Sequence, residues 1–97
     1  MSKIYKILTD TEWKDANRLG YVKTDLDDKD GFIHCSTAKQ LALTLHLYFK
    51  EEKSVVLCEI DECDLNRSEY FFEKTLSNNR SEQEFPHIYG KLSIEQI

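Results

Sequence analysis

The sequence is short of cysteine, of glycine and of long apolar runs, and each shortage excludes a class of protein. Its three cysteines form no Cys-x-x-Cys pair, which argues against a disulfide framework or a structural zinc site and favours reduced thiols. No apolar run approaches the roughly 18 residues of a transmembrane helix. No glycine-rich phosphate-binding loop is present either. These features predict a cytoplasmic protein that does not associate with membranes.

Positive charge is also scarce. The 13 Lys and Arg residues are outnumbered by 18 Asp and Glu residues, and the formal net charge is -5. A general nucleic-acid binder needs clustered basic residues to neutralise phosphates, so that class is not expected. The acidic run over residues 25–30 lacks the spacing of a calcium loop and is predicted to be a solvated turn.

The hydrophobic pattern predicts an α+β fold in one domain over residues 1–97, with a small mixed or antiparallel sheet and two main helices. A capping-box pattern at Thr9 and Glu12 and a glycine at position 20 are typical of the ends of the first helix. Pro86 cannot donate to a central ladder, which predicts an edge position for its strand. Strands are predicted over residues 3–8, 31–36, 54–61, 68–74, 85–90 and 92–97, helices up to about residue 19 and over residues 38–49, and a loop over residues 76–84.

Two apolar segments give more specific expectations. The run over residues 55–58 is apolar throughout, which predicts a central strand covered on both faces. In the second helix, Leu43 and Leu47 are predicted to point outward, which indicates self-association as a homodimer. The predicted inner face of that helix consists of Ala38, Leu41, Leu45 and Tyr48.

The stretch from Gly31 to Thr37 changes from strand spacing to helical spacing. His34 and Ser36 alternate with their neighbours and are predicted to share a face. Ser36 or Thr37 suits the N-cap of the following helix. An imidazole and a hydroxyl beside a positive helix end suit an anionic or hydroxyl-rich ligand. The alternative is a hydrogen-bonded core histidine next to a simple cap.

Further chemistry-bearing residues lie on other predicted strands, namely Lys6, Glu73, His87 and Tyr89. With His34, these residue types can hold a nucleotide, because a His fixes ribose hydroxyls, an aromatic ring stacks on a base and a carboxylate stabilises a developing oxocarbenium ion. A metal-dependent hydrolase using His34, His87 and Glu73 is another alternative, although no short-range ligand spacing indicates it.

Two sequence blocks carry a family resemblance. Gly-Phe-Ile-His-Cys-Ser over residues 31–36 and Phe-Pro-His-Ile-Tyr-Gly over residues 85–90 resemble a widespread family of small bacterial proteins of unknown function. That family is similar to the ADP-ribosyltransferase fold group, which includes RNA 2'-phosphotransferases. The resemblance implies an ADP-ribosyltransferase-like α+β domain with a cleft for NAD or a related nucleotide.

The resemblance also implies roles for individual residues. The ribose-binding residue of the first strand falls at Lys6, where the family usually has His, and a lysine there would contact a phosphate or a ribose hydroxyl as a cation. The serine motif falls near Ser36 and the glutamate at Glu73. The expected catalytic residues are therefore Glu73 and His34, NAD is the candidate cofactor, and no protein metal site is expected. The expected ligand-binding residues are Lys6, His34, Ser36, Thr37, His87 and Tyr89.

Two functions follow from these expectations. The first is binding of a nucleotide such as NAD or ADP-ribose, with ribosyl or phosphoryl-type transfer. The second is a non-catalytic small-molecule or protein-interaction module. The second is indicated by the outward pair Leu43 and Leu47 and by the lysine at position 6.

Overall fold

A computed structural model describes residues 2–74 and 83–97. The predicted α+β class is confirmed, and the sheets are antiparallel. Most of the loop predicted over residues 76–84 lies outside the described residues. The elements are β1 (Lys3–Leu8), α1 (Asp10–Leu19), α2 (Asp25–Asp30), β2 (Ile33–His34), α3 (Leu41–Tyr48), β3 (Val56–Asp61), β4 (Tyr70–Lys74) and β5 (Glu84–Ile88).

The predicted start and end of α1 are confirmed. The Thr9 side chain accepts from the backbone N–H of Glu12, and the Glu12 side chain accepts from the backbone N–H of Thr9. Gly20 ends the helix with a φ of 89° and donates its N–H to the carbonyl of Ala16. The glycine is needed there because a positive φ is strained for residues with a Cβ.

The solvated turn predicted over residues 25–30 is wrong, because this segment forms α2. Thr24 caps the helix by accepting from the backbone N–H of Asp27, and Gly31 ends it with a φ of 84°. Asp27 is buried despite its charge, because the ammonium of Lys6 pairs with it from β1. The acidic composition of the segment did not by itself indicate a helix with one inward-facing carboxylate.

Two antiparallel sheets, β1–β3 and β2–β5–β4, form the scaffold. They are joined where Tyr5 and Ser36 exchange backbone hydrogen bonds of 2.8 Å. The edge position predicted for Pro86 is wrong, since β5 is the middle strand of its sheet. Pro86 still accepts from the N–H of Cys35 at 3.0 Å. An antiparallel residue directs its N–H and C=O to the same neighbour, so Pro86 loses one bond toward β2 and none toward β4.

The strand predicted over residues 54–61 is confirmed as β3, but its predicted central position is wrong. Among the described residues, β3 pairs only with β1, and Leu57 is exposed. A continuous apolar run therefore does not establish burial on both faces.

The predicted faces of the second helix are also wrong. The helix begins with a 3-10 turn over Ala38–Gln40 before α3. Thr44 is buried and Leu43 and Leu47 are half-buried, whereas Leu45 and Tyr48 are exposed. Apolar residues occupy every side of this helix, so their spacing gives no direction for the core. The pair that indicated a homodimer is therefore half-buried rather than fully outward, and self-association stays a prediction.

The main core cluster lies between the sheets and α1, and the C-terminal segment closes it. Val22 donates to the carbonyl of Leu92 at 2.9 Å, and a 3-10 turn over Ile94–Gln96 takes the place of the predicted last strand. No helix of the described residues is long and apolar enough to cross a membrane. The cluster consists of Ile4, Leu8, Ala16, Val22, Ile33, Cys35, Cys58, Ile60, Leu65, Ile88 and Leu92.

Candidate functional site

The two sequence blocks meet across β2 and β5. His34 lies directly opposite His87, and Phe71 of β4 lies opposite His87 on the other side. Directly opposed residues of an antiparallel pair share a face, as do residues two apart along a strand. Among the side chains on one side of the sheet, we call six the aromatic–histidine face: Phe32, His34, Phe71, Glu73, His87 and Tyr89.

Phe32 occupies the centre of this face. Its ring centroid lies 4.5 Å from that of His34, 4.1 Å from that of His87 and 5.3 Å from that of Tyr89. These distances are typical of packed aromatic rings. The sequence-based site did not include Phe32, although its position two residues before His34 indicates a shared face.

Two side chains hold Glu73 in place: that of His87 on β5 and that of Tyr89, which directly follows β5. Its Oε1 accepts from the Tyr89 hydroxyl at 2.6 Å and lies 2.8 Å from Nδ1 of His87. The hydrogen bonds from Tyr89 and His87 hold the pKa of Glu73 below its usual value, and the same contact raises the pKa of Tyr89. His87 is buried, whereas Tyr89 is exposed. Glu73 is therefore an ionised carboxylate near the surface, and its orientation is set by the buried His87 and the exposed Tyr89.

His34 lies between two carboxylates of α2. Asp27 Oδ1 accepts from the His34 backbone N–H at 3.0 Å and lies 2.7 Å from its Nδ1. On the other side of the ring, Nε2 lies 2.9 Å from Oδ2 of Asp30. The orientation of the imidazole is therefore set by α2.

Lys6 lies beneath His34 rather than at the surface. Its Nζ lies 3.0 Å and 2.8 Å from the two carboxylate oxygens of Asp27 and donates to the His34 carbonyl at 2.9 Å. Burial by itself would raise the pKa of Asp27, but the hydrogen bond from His34 and the charge of Lys6 outweigh it and hold that pKa below its usual value. The sequence-based site missed Asp27. A lysine on the inward face of an apolar strand indicates a buried acidic partner, and Thr24 indicates a helix start three residues before Asp27.

Ser36 and Thr37 serve the connection from β2 to α3. The Ser36 hydroxyl is buried and lies 2.8 Å from the hydroxyl of Thr44. The Thr37 N–H donates to Oε1 of Gln40 at 3.0 Å. The backbone N–H of Thr37, at the N-terminal end of this helical segment, is therefore already hydrogen-bonded within the chain.

An open depression of about 390 Å³ adjoins the face and shares Phe32 and Tyr89 with it. Its volume lies within the range of small-molecule pockets. The remaining charged and aromatic residues of its lining include Tyr21, Lys23, Asp28 and Lys91. Lys23 pairs with Asp28, and Nζ of Lys91 lies 4.5 Å from the ring centroid of Tyr21. The depression combines aromatic surface with cationic groups.

Residues 2–74 and 83–97 contain no group of three His, Cys, Asp or Glu side chains placed to hold a metal ion. The metal-dependent alternative therefore lacks a donor set within that part of the chain.

Two solved structures of one bacterial protein resemble this fold. The crystal structure of protein CC0527 from Caulobacter crescentus is 29% identical, with a TM-score of 0.84 over 98% of this chain and 80% of that chain. The solution NMR structure of CC0527 is 30% identical, with a TM-score of 0.80 over 99% of this chain and 79% of that chain. No curated protein matches the chain at a significant level.

A family model described as protein of unknown function (DUF952) matches residues 7–97. The match includes both sequence blocks and all the residues of the aromatic–histidine face. This chain belongs to the DUF952 family of proteins of unknown function.

Proposed function

We propose that this protein binds a nucleotide of the ADP-ribose type across the aromatic–histidine face and the adjoining depression. The carrying observation is that Glu73, bound by Tyr89 and His87, lies on the same face as His34. The ADP-ribosyltransferase-like relation implied by the sequence resemblance is part of this proposal. So is a cytoplasmic location, which three cysteines in the thiol form favour.

The parts of the ligand match the parts of the site. The exposed ring of Tyr89 and the edge of Phe32 offer a stacking surface for a flat base. Lys91 supplies positive charge at the depression, where phosphates need it, whereas Lys23 is already paired with Asp28. His34 supplies a ring nitrogen for a ribose hydroxyl or a phosphate oxygen.

The carboxylate of Glu73 supplies the chemistry for transfer. When the bond between the ribose and nicotinamide of NAD breaks, its electron pair leaves with the nicotinamide and the ribose carbon becomes cationic; the oxygen of water or of an acceptor hydroxyl then bonds to that carbon and releases its proton to the solvent. An ionised carboxylate fixed near that carbon stabilises the positive charge. The lowered pKa of Glu73, caused by the hydrogen bonds from Tyr89 and His87, keeps it in the form that this role requires.

Calorimetric titration with ADP-ribose and NAD, followed by amide NMR, tests the binding proposal. We expect saturable binding with shifts centred on residues 31–34 and 87–91. Tyr89→Ala should weaken binding about tenfold, which corresponds to the loss of one stacked base. Phe72→Ala is the matched control, because Phe72 is 43% exposed and Tyr89 46% but Phe72 lies on the opposite face of β4. Absence of saturable binding, or an equal loss in both variants, contradicts the proposal.

Release of nicotinamide from NAD tests the transfer step separately. We expect Glu73→Gln to bind ADP-ribose within a few-fold of the wild-type affinity and to lose nicotinamide release. Wild-type protein that binds ADP-ribose but releases no nicotinamide contradicts the transfer step and favours the non-catalytic binding module.

A further inference from the structure

We infer that Asp27 is the positioning residue of His34: it holds a proton on Nδ1, so that Nε2 is the ring nitrogen that meets the ligand. The inference rests on the proposed function only for the identity of the ligand at Nε2. The first part, the proton fixed on Nδ1 by Asp27, concerns the protein alone.

The pair of Lys6 and Asp27 holds His34 at three points. Asp27 Oδ1 accepts from the backbone N–H at 3.0 Å and contacts Nδ1 at 2.7 Å. Nζ of Lys6 donates to the backbone carbonyl at 2.9 Å. Backbone position and ring orientation are therefore set together, by β1 on one side and α2 on the other.

The charge state of Asp27 determines which nitrogen carries the fixed proton. Lys6 and Asp27 are 5% and 6% exposed, and the ammonium contacts both carboxylate oxygens. An ionised carboxylate only accepts hydrogen bonds, so the Nδ1 contact requires a proton on Nδ1. Nε2 meets the carboxylate of Asp30 in the same way, but the Asp30 side chain is 36% exposed, so water or a ligand can take its place, whereas the Asp27 carboxylate is buried and paired with Lys6. Nδ1 is therefore the nitrogen whose proton is fixed, and Nε2 is the nitrogen left for a ligand.

The surroundings of the ring direct Nε2 outward. Nε2 lies 2.9 Å from Oδ2 of Asp30, whose side chain is partly exposed at the end of α2. Phe32 packs against the ring at 4.5 Å, and His87 contacts it edge-on at 5.6 Å. Asp30 is thus the partner that a ligand hydroxyl or phosphate oxygen would replace, while Asp27 stays in place.

Long-range ¹H–¹⁵N NMR of the histidine rings in the full, ligand-free chain tests the first part across pH. We expect Nδ1 of His34 to show the shift of a protonated nitrogen at every pH at which the chain is folded. A wild-type spectrum in which Nδ1 loses its proton overturns the inference, whatever any variant does.

Two substitutions on α2 separate positioning from general electrostatics. Asp27→Asn should move the neutral ring of His34 toward the tautomer with the proton on Nε2. Asp30→Asn is the matched control, because it faces the other ring nitrogen and should leave Nδ1 protonated. The ring of His87 should be unchanged in both variants. An unchanged Nδ1 in Asp27→Asn, or the same response in both variants, overturns the inference.

Addition of ADP-ribose tests the second part. We expect the Nε2 resonance of His34 to shift on saturation while Nδ1 does not, and Asp27→Asn to weaken binding about tenfold or more. Saturable binding without any change at Nε2 overturns the ligand-facing role. If wild-type protein binds no ADP-ribose, the proposed function fails, whereas the tautomer result still decides the role of Asp27.

Discussion

At the scale of single residues, Asp27 connects the parts of the candidate site. It links β1 through Lys6 and β2 through His34, and it belongs to α2. A buried ion pair replaced by well-packed apolar residues is often no less stable, whereas removal of one partner is costly. The presence of the Lys6–Asp27 pair is therefore better explained by the geometry that it gives His34 than by a gain in the free energy of unfolding.

Asp27→Asn should lower the free energy of unfolding by about 3–5 kcal/mol at pH 7, because it leaves the ammonium of Lys6 buried without a counter-charge. The pKa of Asp27 is lowered from 3.8 in the folded state. Its stabilisation is therefore fully present above pH 3.8 and is lost as pH falls through the folded-state pKa. The gap between variant and wild type should close in that lower range.

Urea unfolding from pH 7 down to pH 3 measures this gap. Asp28→Asn is the control, since Asp28 is the neighbouring residue but is exposed, and its surface ion pair with Lys23 contributes only a small part of the free energy of unfolding. A gap that stays constant with pH would show that the ionised form of Asp27 is not what stabilises the fold.

At the scale of elements, both α1 and α2 begin at a threonine cap and end at a left-handed glycine. These ends depend on neighbours within four residues along the chain. For α2, the position of the cap also determines which of its acidic residues turns inward. It therefore determines which carboxylate contacts His34.

Thr9→Ala should lower the free energy of unfolding by about 1 kcal/mol, because the first turn of α1 loses its side-chain acceptor. Thr11→Ala is the matched control, since Thr11 is an exposed residue in the same turn and alanine is a good helix former there. Denaturant midpoints of the two variants give the comparison. Equal destabilisation by both substitutions would argue against a stabilising capping box.

At the scale of the whole molecule, the two sheets are joined at Tyr5 and Ser36, with buried thiols close to this junction. Cys35 directly precedes Ser36, and Cys58 lies opposite Lys6 in the β1–β3 pair. Burial raises the pKa of Cys35 to about 12 and that of Cys58 to about 11. Cys63 is exposed.

Iodoacetamide should modify Cys63 in the native protein, because its thiol is exposed even though desolvation and the contact with Asp61 raise its pKa. It should modify all three cysteines only after unfolding, which exposes Cys35 and Cys58 and removes the burial that disfavours their thiolates. Mass spectrometry with and without urea measures the number and position of the modified residues. Cys63→Ser should take up no label in the native state. Rapid native labelling of Cys35 would show that the junction between the sheets opens.

The sequence by itself determined the features that depend on near neighbours. The α+β class, the capping of α1 by Thr9 and the strands β1, β3 and β4 follow from patterns only a few residues long. Both sequence blocks were also singled out as chemistry-bearing segments, because His34, His87 and Tyr89 are reactive residue types within distinctive strands, and their role in a functional site stays a prediction.

Only the tertiary structure decided which of these residues meet. The burial of Asp27 on α2, the central place of β5 and the inward face of α3 all depend on contacts with segments distant in the chain. The same is true of the pairing of Lys6 with Asp27 and of His34 with His87. Local sequence patterns indicate secondary-structure propensity and apolar character. Burial of a charge and the choice of a helix face depend instead on the free energy of contacts that form only when distant segments pack together.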